Sequence, residues 1–536
     1  MQTKYDYVIV GAGSSGCVVA NRLSANPRLR ILLVEAGPVD SNWLIKMPRG
    51  VLRLIGRLNE PHSSYYHAAR GGNHEPERWQ KGRTLGGSSS INGMVYVRGH
   101  PLDYDGWEAA GCTGWGWSQM KRVFDAMETV RLADRQPRGN GPLKVTIPGH
   151  GNRLTEALIA AANGLGVQRV PDNNEAPDGG IGYQPQTIWN GRRQSAAVAF
   201  LRPVSTRENL DVVTDTRAVR VLFDGRRVTG VILRDRTGDH RIGVGRELIL
   251  CSGAIESPKL LQLSGIGPAA LLQRMNVDVV QDSPNVGRNL REHLILPNVY
   301  RVQEGSRNPQ YRGWRLPWNI LRYALRSDGP MSVAIAEVAA YVKTREGLAK
   351  PDVQVGVGLQ SFKVTTGGLE TLPGKEISLV SYFMHPRSRG SIEISAPDPS
   401  APPIVDANYL SEQEDRDTLV ATIRFTRRLM TQPPLRGLVI SEEVPGAPIG
   451  DDGLVKFYAE AGATGYHVSC TCRMGGDTLS VVDPRLRVRG VEGLRVIDTS
   501  VMPELPSGNT NGPAMAIGWR GAELILEDLA AEQVRR

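Results

Sequence analysis

The sequence lacks several features that would assign it to a special class of protein. No apolar run reaches the roughly 18 residues that a membrane-spanning helix requires, so no integral membrane segment is predicted. Only five cysteines are scattered over 536 residues, which indicates reduced thiols and not a disulfide framework. No fixed-period repeat and no block of like charges is present, which excludes solenoids, propellers and charged tails.

The formal net charge is +9, but the basic residues are dispersed and no nucleic-acid motif accompanies them. We interpret the excess as a solvated basic surface and expect no nucleic-acid partner. The chain begins MQTKYDYVIVGAG, so a strand occupies the place where an export signal would lie. A cytoplasmic location is therefore the expectation.

The length and the hydrophobic pattern predict a two-domain α/β protein, since 536 residues exceed what one core accommodates. YDYVIV at 5–10, the helical VVANRLSANP and the strand RILLVEAG form a β-α-β unit, which implies a parallel sheet covered by helices. Strands predicted later in the chain are expected to join the same sheet. The strand LRVIDTS and a C-terminal helix are expected to complete this domain. We expect a cofactor domain from residues 1–155, 196–300 and 462–536, and an α+β substrate domain from residues 156–195 and 301–461.

The first chemical signal is a glycine-rich turn, GAGSSG at residues 11–16, between the first strand and the first helix. Such a turn lets the backbone approach a pyrophosphate, whose charge meets the free N–H groups of the helix. Glu35 ends the next strand and can accept hydrogen bonds from ribose hydroxyls. The pattern predicts dinucleotide binding and disfavours NADP, but it does not separate NAD from FAD.

The second signal is the loop GRTLGGSSSINGMVYVRGHPLDYDGW at residues 82–107. Its many backbone N–H groups and small side chains suit close approach to a pyrophosphate or a flavin ring edge. A flexible surface loop would not need the apolar MVYV that follows.

This loop resembles a signature of the glucose-methanol-choline (GMC) oxidoreductase family. The resemblance extends to GAIESPKLLQLSGIGP at 253–268, NVGRNLREH at 285–293, and the C-terminal YHVSCTCRMG, VVDPRLRVRGVEGLRVIDTSVMP and SGNTNGP. The sequences of these motifs are most similar to those of bacterial members acting on sorbose, choline or aliphatic alcohols. The resemblance implies a Rossmann-like FAD-binding domain joined to a sheet-and-helix substrate domain.

The resemblance also implies which residues contact FAD. They are Gly11, Gly13, Ser14, Ser15, Glu35 and Ala36 at the adenosine end, Ala218 at the adenine, Gly86, Gly87, Ser90, Asn92, Gly93, Met94 and Val95 along the pyrophosphate and flavin, Asp498 near the ribityl chain or pyrophosphate, and Thr510 and Asn511 at the pyrimidine edge. Some relatives attach the flavin covalently through a histidine, and the matching position here is Ile91. We therefore expect non-covalent FAD.

The resemblance assigns catalysis to His467 and Asn509. Hydride leaves an alcohol carbon easily only as the hydroxyl proton departs, and a neutral imidazole is a suitable acceptor for that proton. Asn509 can orient the substrate oxygen without adding a charge. The alternatives are a purely structural histidine after Tyr466 and a helix N-cap at Asn509, a role that Asn511 could fill instead.

Three further residues, Tyr466, His385 and Glu337, are candidate substrate contacts by the same resemblance. His467 with Cys470 and Cys472 also looks like part of a metal cluster, but such zinc sites need a second ligand pair elsewhere. We therefore predict no metal.

The predicted function is FAD-dependent oxidation of an alcohol, primary in preference to secondary, to an aldehyde or ketone. The predicted partners are the alcohol and an electron acceptor, either oxygen or a quinone or dye. Two alternatives stay open at this point: an FAD-containing hydroxynitrile lyase of the same fold, and an NAD-dependent dehydrogenase. Apolar, sugar-like and cationic alcohols are all compatible with the sequence, and so is any oligomeric state.

Overall fold

The computed structural model describes residues 2–72, 74–133, 135–149, 151–365, 368–446 and 449–535. The helices are α1 Ser14–Leu23, α2 Trp43–Lys46, α3 Val51–Leu54, α4 Pro101–Ala109, α5 Trp117–Met127, α6 Arg153–Gly164, α7 Gly253–Leu263, α8 Ala269–Arg274, α9 Arg315–Arg326, α10 Gln413–Met430, α11 Asp451–Ala461 and α12 Asn511–Arg535. The strands are β1 Lys4–Val10, β2 Ile31–Val34, β3 Ser63–Ala69, β4 Glu77–Gly82, β5 Glu128–Leu132, β6 Leu143–Ile147, β7 Gly180–Tyr183, β8 Ile188–Trp189, β9 Arg192–Arg193, β10 Leu210–Val213, β11 Arg217–Asp224, β12 Arg227–Asp235, β13 Gly238–Leu250, β14 Ile266–Gly267, β15 Gln281–Asp282, β16 Leu294–Val302, β17 Val338–Val342, β18 Val353–Gly358, β19 Phe362–Thr365, β20 Gly368–Thr371, β21 Glu376–Phe383, β22 Ser391–Glu393, β23 Ile404–Asp406, β24 Val439–Val444, β25 Ala463–Thr464 and β26 Leu494–Val496.

The first large sheet has the strand order β10-β2-β1-β13-β12-β11, and β26 also pairs with β13. Strands β10, β2, β1, β13 and β26 run parallel, while β12 and β11 extend the sheet as an antiparallel hairpin. The predicted β-α-β unit is confirmed as β1, α1 and β2. Helix α1 packs against the closing helix α12, so the C-terminal segment completes the layer that begins at the N-terminus.

The second large sheet has the order β24-β16-β21-β18-β17-β7, with β25 at the end of β16. All of its pairings are antiparallel. Helix α10 packs against β21 and covers this sheet. Its strands come from three separate stretches of chain, and the boundary expected at residue 300 falls inside β16. The domain limits themselves stay a prediction.

The parallel strands of the first sheet end at one edge, where they create a crevice. Val10 of β1 lies beside Leu250 of β13, and Leu250 lies beside Val496 of β26. The chain segments that leave these strands, beginning at residues 11, 251 and 497, therefore meet at this edge. Ligands of open α/β sheets bind in the crevice at the carboxyl ends of the strands.

All five cysteines are buried and free, as the sequence predicts for a chain of reduced thiols. Among the helices of the described segments, none combines the length and apolar character that crossing a bilayer would require.

Gly16 allows α1 to start close to the glycine turn. A Cβ atom at residue 16 would lie 1.9 Å from the carbonyl oxygen of Gly11, a backbone atom that cannot move aside. We expect Gly16→Ala to destabilise the protein by about 3 kcal/mol or more, through overpacking against backbone. A thermal melt together with the flavin content of the purified protein measures the effect.

Gly106→Ala is the matched control, because a Cβ at this position of α4 meets no atom within 4 Å. Alanine is the better helix former by about 1 kcal/mol, so this variant should melt at or above the wild-type temperature. Equal melting of the two variants would contradict the proposed clash.

Candidate active site

One cavity occupies the crevice at the end of the parallel strands. Most of the residues expected to hold the cofactor line it: Gly11, Gly13, Ser14, Ser15, Glu35, Ala36, Gly87, Asn92, Gly93, Met94, Val95, Ala218, Asp498, Thr510 and Asn511. His467, Asn509 and Tyr466 line it as well, as does Ile91. The structure therefore brings together segments that lie up to 500 residues apart in the sequence.

Glu35 joins the glycine turn to the end of β2. Its Oε2 accepts a hydrogen bond from the N–H of Ala12 at 3.0 Å, and its Oε1 accepts one from the N–H of Gly37 at 2.9 Å. Burial raises the pKa of this carboxyl group to about 7. Each carboxylate oxygen has a second lone pair, so both remain able to accept a hydrogen bond from a ribose hydroxyl.

Gly86 and Ser90 lie behind the cavity wall and shape the loop. The N–H of Gly86 donates to the carbonyl of Ala12 at 2.7 Å, and Ser90 Oγ donates to the carbonyl of Leu85 at 2.7 Å. Gly87 has a φ of 53°, and a Cβ there would lie 2.8 Å from Cα of Gly13. The serine-rich loop and the glycine turn thus pack backbone against backbone, which brings both sets of N–H groups to the same cavity.

The wall has an unsatisfied hydrogen-bond donor and glycines that border open space, and both features fit an extended dinucleotide such as FAD. Asn511 Nδ2 is buried without a hydrogen-bond partner among the described residues. A Cβ at Gly93 or Gly253 would meet no atom within 4 Å, so both glycines border open space. Asp498 accepts hydrogen bonds from Ser257 Oγ at 2.6 Å and from the N–H of Gly253 at 2.9 Å, which holds this carboxylate at the wall.

His467 is one member of a hydrogen-bonded chain that begins at a backbone carbonyl. His293 Nε2 lies 2.9 Å from the carbonyl oxygen of Met384, and His293 Nδ1 lies 2.9 Å from His467 Nδ1. His467 Nε2 in turn lies 3.0 Å from Asn509 Nδ2. The amide oxygen of Asn509 accepts a hydrogen bond from Gln354 Nε2 at 3.2 Å, which orients the Asn509 amide with its N–H groups towards His467.

This series of hydrogen bonds determines which nitrogen of His467 carries the proton. A carbonyl oxygen only accepts hydrogen bonds, so His293 Nε2 carries a hydrogen, and neutral His293 then has a lone pair on Nδ1. His467 must therefore donate its Nδ1–H to His293. The remaining nitrogen, Nε2, carries the lone pair, which accepts a hydrogen bond from Asn509 Nδ2 at the cavity wall.

Both imidazoles are held in the neutral state. Burial is the main cause that lowers the pKa of His467 well below its ordinary value of 6.5, and the neighbouring Lys81 acts in the same direction. Burial lowers the pKa of His293 to about 3. At neutral pH both rings are therefore uncharged, with one hydrogen on Nε2 of His293 and one on Nδ1 of His467.

Glu292 positions the backbone of both histidines. A single oxygen, Oε1, accepts the N–H of His293 at 2.9 Å and that of His467 at 2.8 Å. Burial raises the pKa of Glu292 to about 7, while the positive charge of Lys81 acts in the opposite direction. Lys81 Nζ donates to the carbonyl of Tyr466 at 3.0 Å, so it lies beside the same turn.

The sequence did not predict these supporting residues. Glu292 and His293 end the motif NVGRNLREH, which signals their importance without indicating what they contact. Gln354 of β18 and Met384 after β21 belong to no motif and have no local signal.

The other two expected substrate contacts, His385 and Glu337, are not among the residues that line this cavity. His385 Nε2 lies 3.2 Å from Ser507 Oγ, and burial lowers its pKa to about 4. Glu337 Oε2 accepts a hydrogen bond from Arg307 Nη2 at 2.6 Å, and its Oε1 lies 3.9 Å from Arg49 Nη2. Their role as substrate contacts stays a prediction.

A dinucleotide cavity lined by a buried, neutral imidazole whose unprotonated nitrogen lies at the wall is the arrangement of a nucleotide-dependent oxidoreductase. The chain belongs to the GMC oxidoreductase family, whose N-terminal model matches residues 5–295 and whose C-terminal model matches residues 386–518.

Named relatives and a solved structure agree with this assignment. The chain is 37% identical to "Alcohol dehydrogenase [acceptor]" of Pseudomonas putida, over 97% of this chain and 96% of that protein. It is 35% identical to the human mitochondrial choline dehydrogenase, over 97% of this chain and 90% of that protein. The crystal structure of pyridoxine 4-oxidase from Mesorbium loti superposes with a TM-score of 0.86 and 31% identity, covering 97% of this chain and 98% of that one.

The chain is an FAD-dependent oxidoreductase that acts on CH–OH donors, and the predicted fold class and FAD cofactor are confirmed. The NAD-dependent alternative is thereby set aside.

His293 can be tested separately from the cavity, since it is not among the residues that line it. In His293→Phe, Nδ1 of His467 loses its acceptor, so the proton is free to move to Nε2 and occupy the lone pair. We expect FAD content to stay normal while the rate of flavin reduction by alcohol falls by about tenfold or more. Stopped-flow absorbance at saturating alcohol measures this rate.

His293→Asn is the matched control, because its side-chain oxygen takes the approximate place of Nδ1 and can accept from His467. It should recover most of the rate and keep the wild-type pH profile. Equal loss in both variants would mean that His293 acts only through packing.

Proposed function

We propose that this protein oxidises a primary alcohol to the aldehyde, with His467 as the general base and Asn509 as the group that orients the substrate oxygen. The observation that carries this proposal is the lone pair on His467 Nε2, which the contacts from Met384 and His293 direct to the cavity wall at 3.0 Å from Asn509. When bound, FAD supplies the hydride acceptor, N5 of its isoalloxazine ring.

The chemistry of the chain's own residues is proton removal. The substrate hydroxyl replaces Asn509 Nδ2 as the donor to His467 Nε2, and the amide hydrogen released from that contact is donated to the substrate oxygen, so the oxygen is held by one acceptor and one donor. As the proton moves to Nε2, the electron pair left on oxygen makes the carbinol C–H bond a better hydride donor. The imidazolium that forms is stabilised by its hydrogen bond to His293.

We propose an uncharged alcohol in preference to a quaternary ammonium alcohol such as choline. A cationic substrate needs a carboxylate with unbalanced charge, and the candidate carboxylate, Glu337, is already hydrogen-bonded to Arg307 at 2.6 Å with Arg49 close by. Two guanidinium groups beside one carboxylate leave this region positive.

We propose a quinone or dye-type compound as the electron acceptor in preference to oxygen. Support comes from the two relatives named above, both called dehydrogenases, one of them with an unspecified acceptor in its name. We propose non-covalent attachment of the flavin, since Ile91 has no nucleophilic atom.

Anaerobic mixing of the purified protein with a panel of alcohols tests the reaction. We expect a primary aliphatic or aromatic alcohol to bleach the yellow flavin, and an added artificial quinone to restore it faster than air does. A lyase would leave the flavin oxidised with every alcohol.

His467→Ala removes the base. Loss of a positioned general base typically costs a factor of about 100 or more, and we expect at least this decrease in the rate of flavin reduction. The matched control is His240→Ala in β13, where the imidazole is hydrogen-bonded to Asp235 and Thr237 and is not among the residues that line the cavity. Unchanged reduction by His467→Ala would refute the assignment.

The pH dependence follows from the lowered pKa of His467. A base with a lowered pKa keeps its lone pair at pH values where an ordinary histidine is protonated. We therefore expect kcat/KM for the alcohol to stay constant as the pH falls through 6.5, the ordinary imidazole value, and to decrease only below it. A decrease centred at or above that value would contradict the buried, neutral state.

A further inference from the structure

Helix α9 has two apolar faces, of which the chain covers one. On the inner face, Leu316, Ile320 and Tyr323 pack into a cluster with Met47, Tyr311 and Met331. This face attaches the helix to the body of the protein.

The second apolar face, the outer stripe, consists of Trp314, Trp318, Leu321 and Leu325. These side chains are 75%, 60%, 49% and 75% exposed. Their spacing of four, three and four residues places them along one side of a helix, opposite the inner face. A surface helix normally turns polar residues towards water, so two neighbouring exposed tryptophans and two exposed leucines indicate a surface that is covered in use.

Arginine borders the outer stripe, and acidic residues are missing from it. Between Gly305 and Ser327 the sequence contains five arginines and no Asp or Glu. Arg315 lies over the ring of Trp314 at 5.6 Å, and Arg322 bonds to Asp328 just beyond the helix. Arg315, Arg322 and Arg326 project along one flank of the outer stripe, between the two apolar faces.

This combination matches the chemistry of an anionic bilayer surface. Tryptophan and leucine insert at the boundary between headgroups and acyl chains, and flanking arginines attract anionic lipids. A symmetric contact between two copies of α9 would instead bring the same arginines together, with no acid on the helix to pair with them. We propose that the outer stripe of α9 docks this protein on anionic lipid membranes, as a peripheral contact parallel to the surface.

The position of α9 connects this surface to the cofactor cavity. Leu44 of α2 packs against the cluster beneath the helix, and Ile45 packs against Ile91 of the loop that lines the cavity. Trp43, at the start of α2, is itself exposed. Helix α9 is thus connected by packing, through Leu44 and Ile45, to a residue of the cavity wall, although the proposal does not depend on which alcohol is oxidised.

Co-sedimentation of the FAD-containing protein with vesicles tests the proposal. We expect binding to vesicles of equal parts phosphatidylglycerol and phosphatidylcholine, weaker binding at high salt, and little binding to phosphatidylcholine alone. Trp318→Glu combined with Leu325→Glu should weaken binding by about tenfold or more, because it removes inserted area and adds repulsion. Arg326→Glu should weaken it by about fivefold or more through charge alone.

Two matched controls separate this surface from general effects. Leu479→Glu changes an exposed leucine in the segment that contacts Asn285, and Arg236→Glu reverses an exposed arginine in the turn between β12 and β13. Both should bind vesicles like the wild type, and all four variants should retain flavin and the wild-type melting temperature.

Failure of the wild type to bind anionic vesicles would overturn the proposal, and so would equal binding by the α9 variants. Sedimentation velocity without lipid tests the competing explanation, in which the outer stripe binds a second copy of the chain. A concentration-dependent dimer that Trp318→Glu with Leu325→Glu abolishes would show that the outer stripe is an interface between two copies of the chain.

Discussion

The candidate active site depends on a hydrogen bond to an atom that cannot donate, the carbonyl oxygen of Met384. Its contact with His293 orders the hydrogens along the chain, so that His467 keeps its lone pair on Nε2. Burial contributes equally, since a charged imidazole in this position would have to be desolvated. In the role that we propose for His467, the base is therefore oriented and uncharged before any substrate arrives.

The chain crosses between the two large sheets several times, and the site needs both. The glycine turn and Asp498 follow strands of the first sheet, whereas Gln354 and Met384 belong to or follow strands of the second. His467 lies three residues after β25, at the junction. The crevice of the parallel sheet supplies N–H groups for an anionic cofactor, and the antiparallel sheet supplies the partners of the imidazole. Neither sheet contains a complete site.

Helix α9 lies outside this arrangement and differs from the other surface helices in its chemistry. Its inner face is accounted for by packing against Met47 and Tyr311, but no packing within the described chain accounts for Trp314 and Trp318. Exposed apolar area of this extent has a free-energy cost in water that a bilayer surface removes. Leu44 packs against both the cluster beneath α9 and the cluster that contains Ile91, so the helix and the loop at the cavity wall share a packing neighbour.

Local patterns in the sequence determined the β-α-β unit, the glycine turn with Glu35 and the serine-rich loop, because each is built from residues that are close in the chain. They also identified His467 and Asn509 as candidates, through motifs that lie beside them. Tertiary structure alone decided the partners of these residues: His293 lies 174 residues from His467 in the sequence, and Gln354 lies 155 residues from Asn509. No local spacing indicates a contact at such separations. It also decided that Glu337 is paired with Arg307 and is not among the residues that line the cavity, since charge pairing depends on which side chains the fold brings together. The physical reason is that periodicity and turn chemistry act over a few residues, whereas proton location and charge balance depend on long-range contacts.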